Sequence, residues 1–190
     1  MRKKLISLIV LCALCPVLIV GETTLGDLPI YEQIVWIITS LKYKKGFVED
    51  LMHDEKLRIG LFYTNTKDSI KYKEDFFSVF NREFKNKSFY DRQIKLEAIM
   101  DIESLRSWNF HLLFIAPDVG QSIEKILEIT ANKKILSATG VTEYLKSGIT
   151  VLVGFDGEKG VLYVNMENSE REDCLFNANF LQFVKKVDKK

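Results

Sequence analysis

HLLFIAPDVGQSIEKILEIT (residues 111–130), KKILSATGVTEYLKSGITVLVGFDGEKGVLYVN (133–165) and SEREDCLFNANFLQFVKKV (169–187) decide the fold. The first holds a short apolar run ended by Pro117 and Asp118, then Ile123, Ile126 and Leu127 at helical spacing. The second holds a brief strand at 134–137 closed by Ala138, Thr139 and Gly140, then two apolar runs at 149–155 and 161–165 flanking DGEKG. Glycines at 157 and 160 suit a five-residue loop, so these two runs predict a β-hairpin. In the third stretch Ser169 and Glu172 have capping-box spacing, and Phe176, Phe180, Leu181 and Val184 predict a closing helix.

Working back along the chain, Ile30, Ile34, Ile37, Ile38 and Leu41 share one face of a helix over 28–44. LRIGLFY (57–63) reads as a buried strand, and Ile70, Phe77, Phe80 and Phe84 place a helix over 67–84 with Asp68 in its first turn. Residues 93–99 alternate as a strand, and Asp101 is placed to cap a short helix over 101–107. Short strands alternating with helices imply right-handed crossovers and parallel pairing. The expected fold is therefore a three-layer α/β sandwich: a mostly parallel sheet of five or six strands, an antiparallel edge hairpin, and helices on both faces.

Arg2, Lys3 and Lys4 precede an unbroken apolar run from Leu5 to Val20, followed by Gly21. A basic segment, a short apolar segment and a small residue describe an export signal, with cleavage after Gly21. Sixteen apolar residues fall short of the roughly 20 needed to span a bilayer. The expected organisation is a signal peptide over 1–21 and one α/β domain over 22–190. The full chain has 27 basic and 26 acidic residues; without the three in the signal the basic count is 24 and the net charge −2. Nothing in that balance steers toward nucleic acid.

Of three cysteines, Cys12 and Cys15 lie in the signal, which leaves Cys174 without an internal disulfide partner. Beside Leu175 and Phe176 it reads as a small buried hydrophobe. Only His53 and His111 occur, in no metal-ligand spacing, and no G-x-S-x-G, P-loop or G-x-G-x-x-G is present. No metal, cofactor or catalytic set is expected. The adjacent carboxylates Glu172 and Asp173, like Asp54 and Glu55, read as solvated charge. Phe76, Phe77, Phe80, Phe84, Phe89 and Tyr90 are interleaved with Lys71, Lys73, Arg82, Lys85 and Lys87; their spacing predicts core packing with lysines on the wet face. Trp36 and Trp108 are read as buried anchors.

In open parallel sheets ligands bind beyond the carboxyl ends of the strands, where strand order reverses. The strand ends here carry Tyr63, Thr64 and Asn65; Pro117 and Asp118; and Ser137, Thr139 and Gly140. They form the default pocket, set against the plain reading that they are strand-terminating loops.

The succession LRIGLFY, HLLFIAP and the segment 133–187 resembles the YfiR family of exported bacterial regulators. The family pattern falls on Leu136 and Ser137 at a strand end, Tyr144 and Leu145 in a short helix, Gly148 before a strand, Asn165 closing the hairpin, and 177–187 as a final helix. Residues 42–45 and 147–148 depart from the family's Trp-Pro and paired-glycine positions. The resemblance implies a periplasmic protein, often a homodimer, that restrains an inner-membrane diguanylate cyclase through its periplasmic sensor region, lowering cyclic di-GMP and biofilm formation. The ligand candidates are Asn65, Asp118, Ser137, Thr139, Gly148 and Asn165. A small-molecule binding protein serving a transporter or sensor is the alternative, and an enzyme built on Asp118, Thr139 and Asn165 a third. The first and closing helices are the expected interface.

Overall fold

The computed structural model describes residues 28–187. The signal-peptide reading of residues 1–21 lies outside the described residues. Eight strands form one sheet in the order β2-β3-β1-β4-β5-β6-β7-β8. They are β1 (Lys56–Phe62), β2 (Ser88–Phe89), β3 (Arg92–Ile99), β4 (Leu112–Ile115), β5 (Leu136–Thr139), β6 (Val151–Asp156), β7 (Lys159–Asn165) and β8 (Lys185–Val187). The helices are α1 (Ile30–Ser40), α2 (Phe47–Met52), α3 (Lys67–Glu83), α4 (Ile102–Ser107), α5 (Ile123–Lys133) and α6 (Met166–Arg171).

Strands β3, β1, β4, β5 and β6 pair in parallel, and β1 lies between β3 and β4, so strand order reverses at β1 and β4. The parallel α/β sandwich expected from the sequence is present. Its sheet is larger than expected because β2 adds an antiparallel edge to β3 and β8 adds a parallel edge to β7. The β6–β7 hairpin is therefore one strand in from the edge. Asp156 pairs with Lys159, which shortens its loop to Gly157 and Glu158; Gly157 takes φ 62° while residue 160 lies in the strand opposite Phe155.

The pleat divides the core. On one face Leu57, Ile59, Leu61, Leu112, Phe114 and Val151 pack with Ile34 and Ile37 of α1, Phe76 and Phe80 of α3, and Phe176 and Phe180 of the C-terminal segment. On the other, Phe62, Ile99, Leu113 and Ile115 meet Leu105 of α4 and Ile126, Leu127 and Ile129 of α5. Strands buried on both faces read as near-continuous apolar runs, as parallel strands should.

Three local expectations change. The closing helix is absent: Asn177 Oδ1 accepts from Phe180 N at 2.9 Å, a single 3-10 turn follows at Phe180–Gln182, and the chain then extends onto β7 as β8. Phe176 and Phe180 still face the core, so helical spacing here marked burial without a helix. The capping box at Ser169 and Glu172 does not form. Helix α6 begins earlier, where Asn165 Oδ1 accepts from Asn168 N at 2.8 Å, and Ser169 Oγ donates instead to Cys174 O at 2.6 Å. Trp108 is 40% exposed rather than buried.

Candidate functional site

The reversal at β1 and β4 brings some of the predicted residues together. Thr66 caps α3, its Oγ1 accepting from Ser69 N at 3.3 Å and donating to Asp118 Oδ2 at 3.1 Å. Thr64 Oγ1 donates to Asp118 O at 3.2 Å, and Asp118 itself holds φ 60°, a left-handed conformation that aspartate tolerates better than most residues. Thr139 Oγ1 donates to Ile115 O at 2.8 Å and accepts from Val141 N at 3.1 Å. The Tyr144 hydroxyl accepts from Val119 N at 2.9 Å, and partial burial raises its pKa. On the α1 side the buried Gln33 lies against Gly140, where an added Cβ would stand 1.8 Å from Gln33 Oε1, and Tyr72 donates to that oxygen at 2.7 Å. Asn65 and Asp118 remain exposed at the rim. The strand ends are thus knitted to each other: their polar groups hold two crossovers in register.

Ser137, Gly148 and Asn165 belong elsewhere, toward the amino ends of β5 and β6. There the fully buried Glu172 reaches back from the turn after α6. Its Oε1 hydrogen-bonds Thr130 Oγ1 at 2.6 Å; its Oε2 accepts from Thr150 Oγ1 at 2.6 Å and Ser137 N at 2.9 Å. Ser137 Oγ accepts from Thr150 N at 3.0 Å, and Asn168 Nδ2 donates to Thr150 Oγ1 at 2.8 Å. Burial raises the Glu172 pKa against the pull of these donors, since removing a carboxylate from water penalises its charged form. Asn168 Oδ1 is buried and has no hydrogen-bond partner among the described residues. It adjoins a cavity of about 10 Å³ that Gly148, Asn165 and Arg171 also line, room for about one water.

Glu172 was invisible as a buried group in the sequence, where it reads as one of a solvated pair with Asp173. Only Asp173 is solvated, in a 2.8 Å ion pair with Lys134. Two adjacent backbone conformations separate the pair's fates: Asp173 takes φ 52°, which turns the chain so that Glu172 faces in and its neighbour out. Cys174 follows on the same turn, buried as expected, and burial pushes its thiol up to about 12. Such a thiol stays protonated and is a poor nucleophile.

A third polar region lies at the opposite ends of β1 and β3. A groove of about 340 Å³ is lined by Asp54, Lys56, Arg58, Lys95, Glu97 and Trp108 among others. Lys95 pairs with Glu97 at 2.7 Å and lies 6.0 Å from the Trp108 ring, which stacks on Phe110. Beside it, Arg58 N donates to His111 Nδ1 at 3.0 Å, so the proton of a neutral imidazole sits on Nε2, 2.9 Å from Asp54 Oδ2. The groove offers an indole face and charges of both signs to a small polar ligand. Its signal in the sequence was the alternation of β3: Lys95 and Glu97 point away from the α1–α3 face, and α4 covers only the far end of that strand.

Phe76, Phe80, Phe84 and Phe89 are buried as expected, while Tyr90 is exposed. Among the described residues no group of three His, Cys, Asp or Glu side chains could hold a metal ion, and no helix is long and apolar enough to cross a membrane.

A protein-family model described as YfiR/HmsC-like matches residues 50–185. No curated protein matches the chain. Among solved structures, a conserved domain protein from Vibrio cholerae O1 biovar El Tor aligns with TM-score 0.55 at 14% identity, covering 86% of this chain and 61% of that one. The ABC domain in complex with L-Trp from Streptococcus pneumonia aligns with TM-score 0.53 at 13% identity over 84% of this chain and 62% of that one. A substrate binding protein with adhesive properties from Clostridium difficile, in its ligand-free, open structure, gives TM-score 0.55 at 12% identity over 75% and 59%. The chain thus spans about three fifths of each of these structures, and the likeness is one of fold.

Proposed function

Because the chain belongs to the YfiR/HmsC-like family, we propose that it is an exported periplasmic regulator that restrains an inner-membrane diguanylate cyclase by binding its periplasmic sensor region. The family match over residues 50–185 carries this reading. Residues 1–21 serve as the export signal in it. The polar groups at the strand ends already bond each other, which favours contact through a surface over capture of a ligand between the crossovers. The apolar face of α1 is consumed by the core at Ile34, Ile37 and Ile38, whereas Phe183 in the C-terminal segment is 84% exposed. Phe183 is therefore the side chain assigned to the partner in this reading.

Crosslinking of the exported protein in its native host, followed by capture and mass spectrometry of membrane partners, tests the proposal. Recovery of a cyclase with a periplasmic sensor region is expected. Recovery of only the protein itself, or of a transporter, would overturn it.

A second reading, a small-molecule binding protein, is favoured by the groove beside Trp108 and by solved neighbours described with L-Trp or as substrate binding. The strand-end residues Asn65, Asp118 and Thr139 would then be structural, and Trp108 emission would shift on adding metabolite mixtures. An unchanged spectrum at millimolar concentrations would remove this reading.

A further inference from the structure

We propose that Glu172 is a neutral carboxylic acid in the folded protein and that its proton latches the C-terminal segment onto the sheet. Thr130 Oγ1 carries one hydrogen and lies within bonding distance of two oxygens, Glu172 Oε1 at 2.6 Å and Leu127 O at 3.1 Å. With an ionised carboxylate that hydrogen serves only one of them, and Leu127 O, inside α5, falls back on the N–H of its own helix. With a proton on Oε1 the chain closes: Glu172 donates to Thr130, and Thr130 donates to Leu127 O. Oε2 keeps its two donors, Thr150 Oγ1 and Ser137 N, and Thr150 is free to donate because Asn168 Nδ2 supplies its own incoming hydrogen.

The charged surroundings point the same way. Helix α5, strand β5 and the start of β6 meet the carboxyl with Thr130, Ser137 and Thr150. On its own turn Asp173 is engaged by Lys134 at the surface, and Cys174 is buried with its thiol protonated. From α6, Glu167 and Arg171 line the small cavity next to Asn168. Lys44, on the segment that bridges to Phe176, acts on Asp173 and Cys174. No cation is hydrogen-bonded to the carboxyl among the described residues, and a buried charge without one is costly.

What the proton holds follows from the topology. Glu172 joins α5, β5 and β6 to the stretch that continues through Phe176 and Phe180 to β8. Ionisation sends the proton to bulk water and leaves a buried charge at this junction. A carboxyl whose folded pKa lies above the unfolded value of roughly 4.3 binds more protons folded than unfolded between the two values. Its contribution is therefore fully present below the unfolded pKa, is lost as pH rises toward the folded one, and is flat above it. The latch is tightest in acid, opposite to a surface carboxylate held by a cation. This inference rests on the chain's own geometry and does not depend on the regulator reading.

The test is the carboxyl carbon resonance of Glu172 in the intact exported protein, followed from pH 4 upward and assigned by its absence in Glu172→Gln. The resonance is expected to keep the shift of a protonated acid through the range where Asp101 and Asp173 are fully ionised. A Glu172 resonance that titrates with the surface carboxylates would overturn the proposal. In parallel, the Tm of Glu172→Gln relative to the natural chain is expected to rise with pH, because glutamine keeps an acceptor for Ser137 and Thr150 and a donor for Thr130 without charge. A Tm difference that is constant or falls with pH would overturn it as well, and the resonance decides the matter even if the variant folds poorly.

Discussion

The two ends of the sheet use the same kinds of residues to opposite effect. At the carboxyl ends of β1 and β4, the exposed Asp118 is held by threonine hydroxyls, its carboxylate by Thr66 and its backbone carbonyl by Thr64, at a rim that water reaches. At the amino ends of β5 and β6, a carboxyl, Glu172, is held by threonine hydroxyls at a site that water does not reach. In the first, solvent supplies whatever the threonines leave unsatisfied. In the second, every hydrogen must be found within the protein, so removing one partner exposes the full desolvation cost of the others. The largest expected effect is therefore at the buried end. Glu172→Ala strands Ser137 N and the Thr150 hydroxyl around a void, and should lower stability by about 3 kcal/mol, or roughly 10 °C in Tm. Thermal unfolding of the variant checks this, and a loss no larger than that of an exposed substitution would erase the contrast.

How much of this contrast could be read in advance depends on burial. The alternation of short apolar runs with helical spacing was enough for the parallel sandwich and for the inward residues Phe80 of α3 and Ile126 and Leu127 of α5, while the strand order that puts the reversal at β1 and β4 came only with the structure. Strand ends were legible because Pro117 and Gly140 interrupt apolar runs, and Asp101 because an acidic residue before an apolar turn has few other uses. Glu172 was not legible because its setting is assembled from Thr130, Ser137, Thr150 and Asn168, which lie up to 42 residues away in sequence. Local pattern carries no record of such contacts. The C-terminal segment misled for a related reason: Phe176, Phe180 and Val184 recur at helical spacing, but they are spaced by where the core lies, and β7 still had a free edge for Lys185–Val187 to pair with.

At the carboxyl ends the expected losses are smaller and graded by depth. Gly140 is the deepest point there, with Gln33 pressed against it and itself fixed by Tyr72 and by Leu28 O. Gly140→Ala forces that amide out of a bonded position, and a loss of about 2 kcal/mol is expected from overpacking; a concurrent Gln33→Ala should recover part of it. Thermal unfolding of the pair measures the coupling, and purely additive losses would show that Gln33 is not the obstacle. Thr66→Ala, nearer the rim, removes the α3 cap and the bond to Asp118 and should cost about 1 kcal/mol. Denaturant midpoints are sensitive enough to separate it from zero.

The smallest expected effect on stability belongs to Phe183. At 84% exposure its ring contributes little to the core, so Phe183→Ala should change stability by less than about 0.5 kcal/mol. The contrast is with Phe180 three residues earlier, which is buried and stacks on Tyr43 at 4.9 Å. If a partner covers Phe183, the alanine variant should keep its Tm and lose recovery of the membrane partner in crosslinking, whereas Phe180→Ala should lose both. Equal recovery with Phe183→Ala would move the interface off the C-terminal segment, and a large Tm loss would mean that the exposed ring is packed in solution after all.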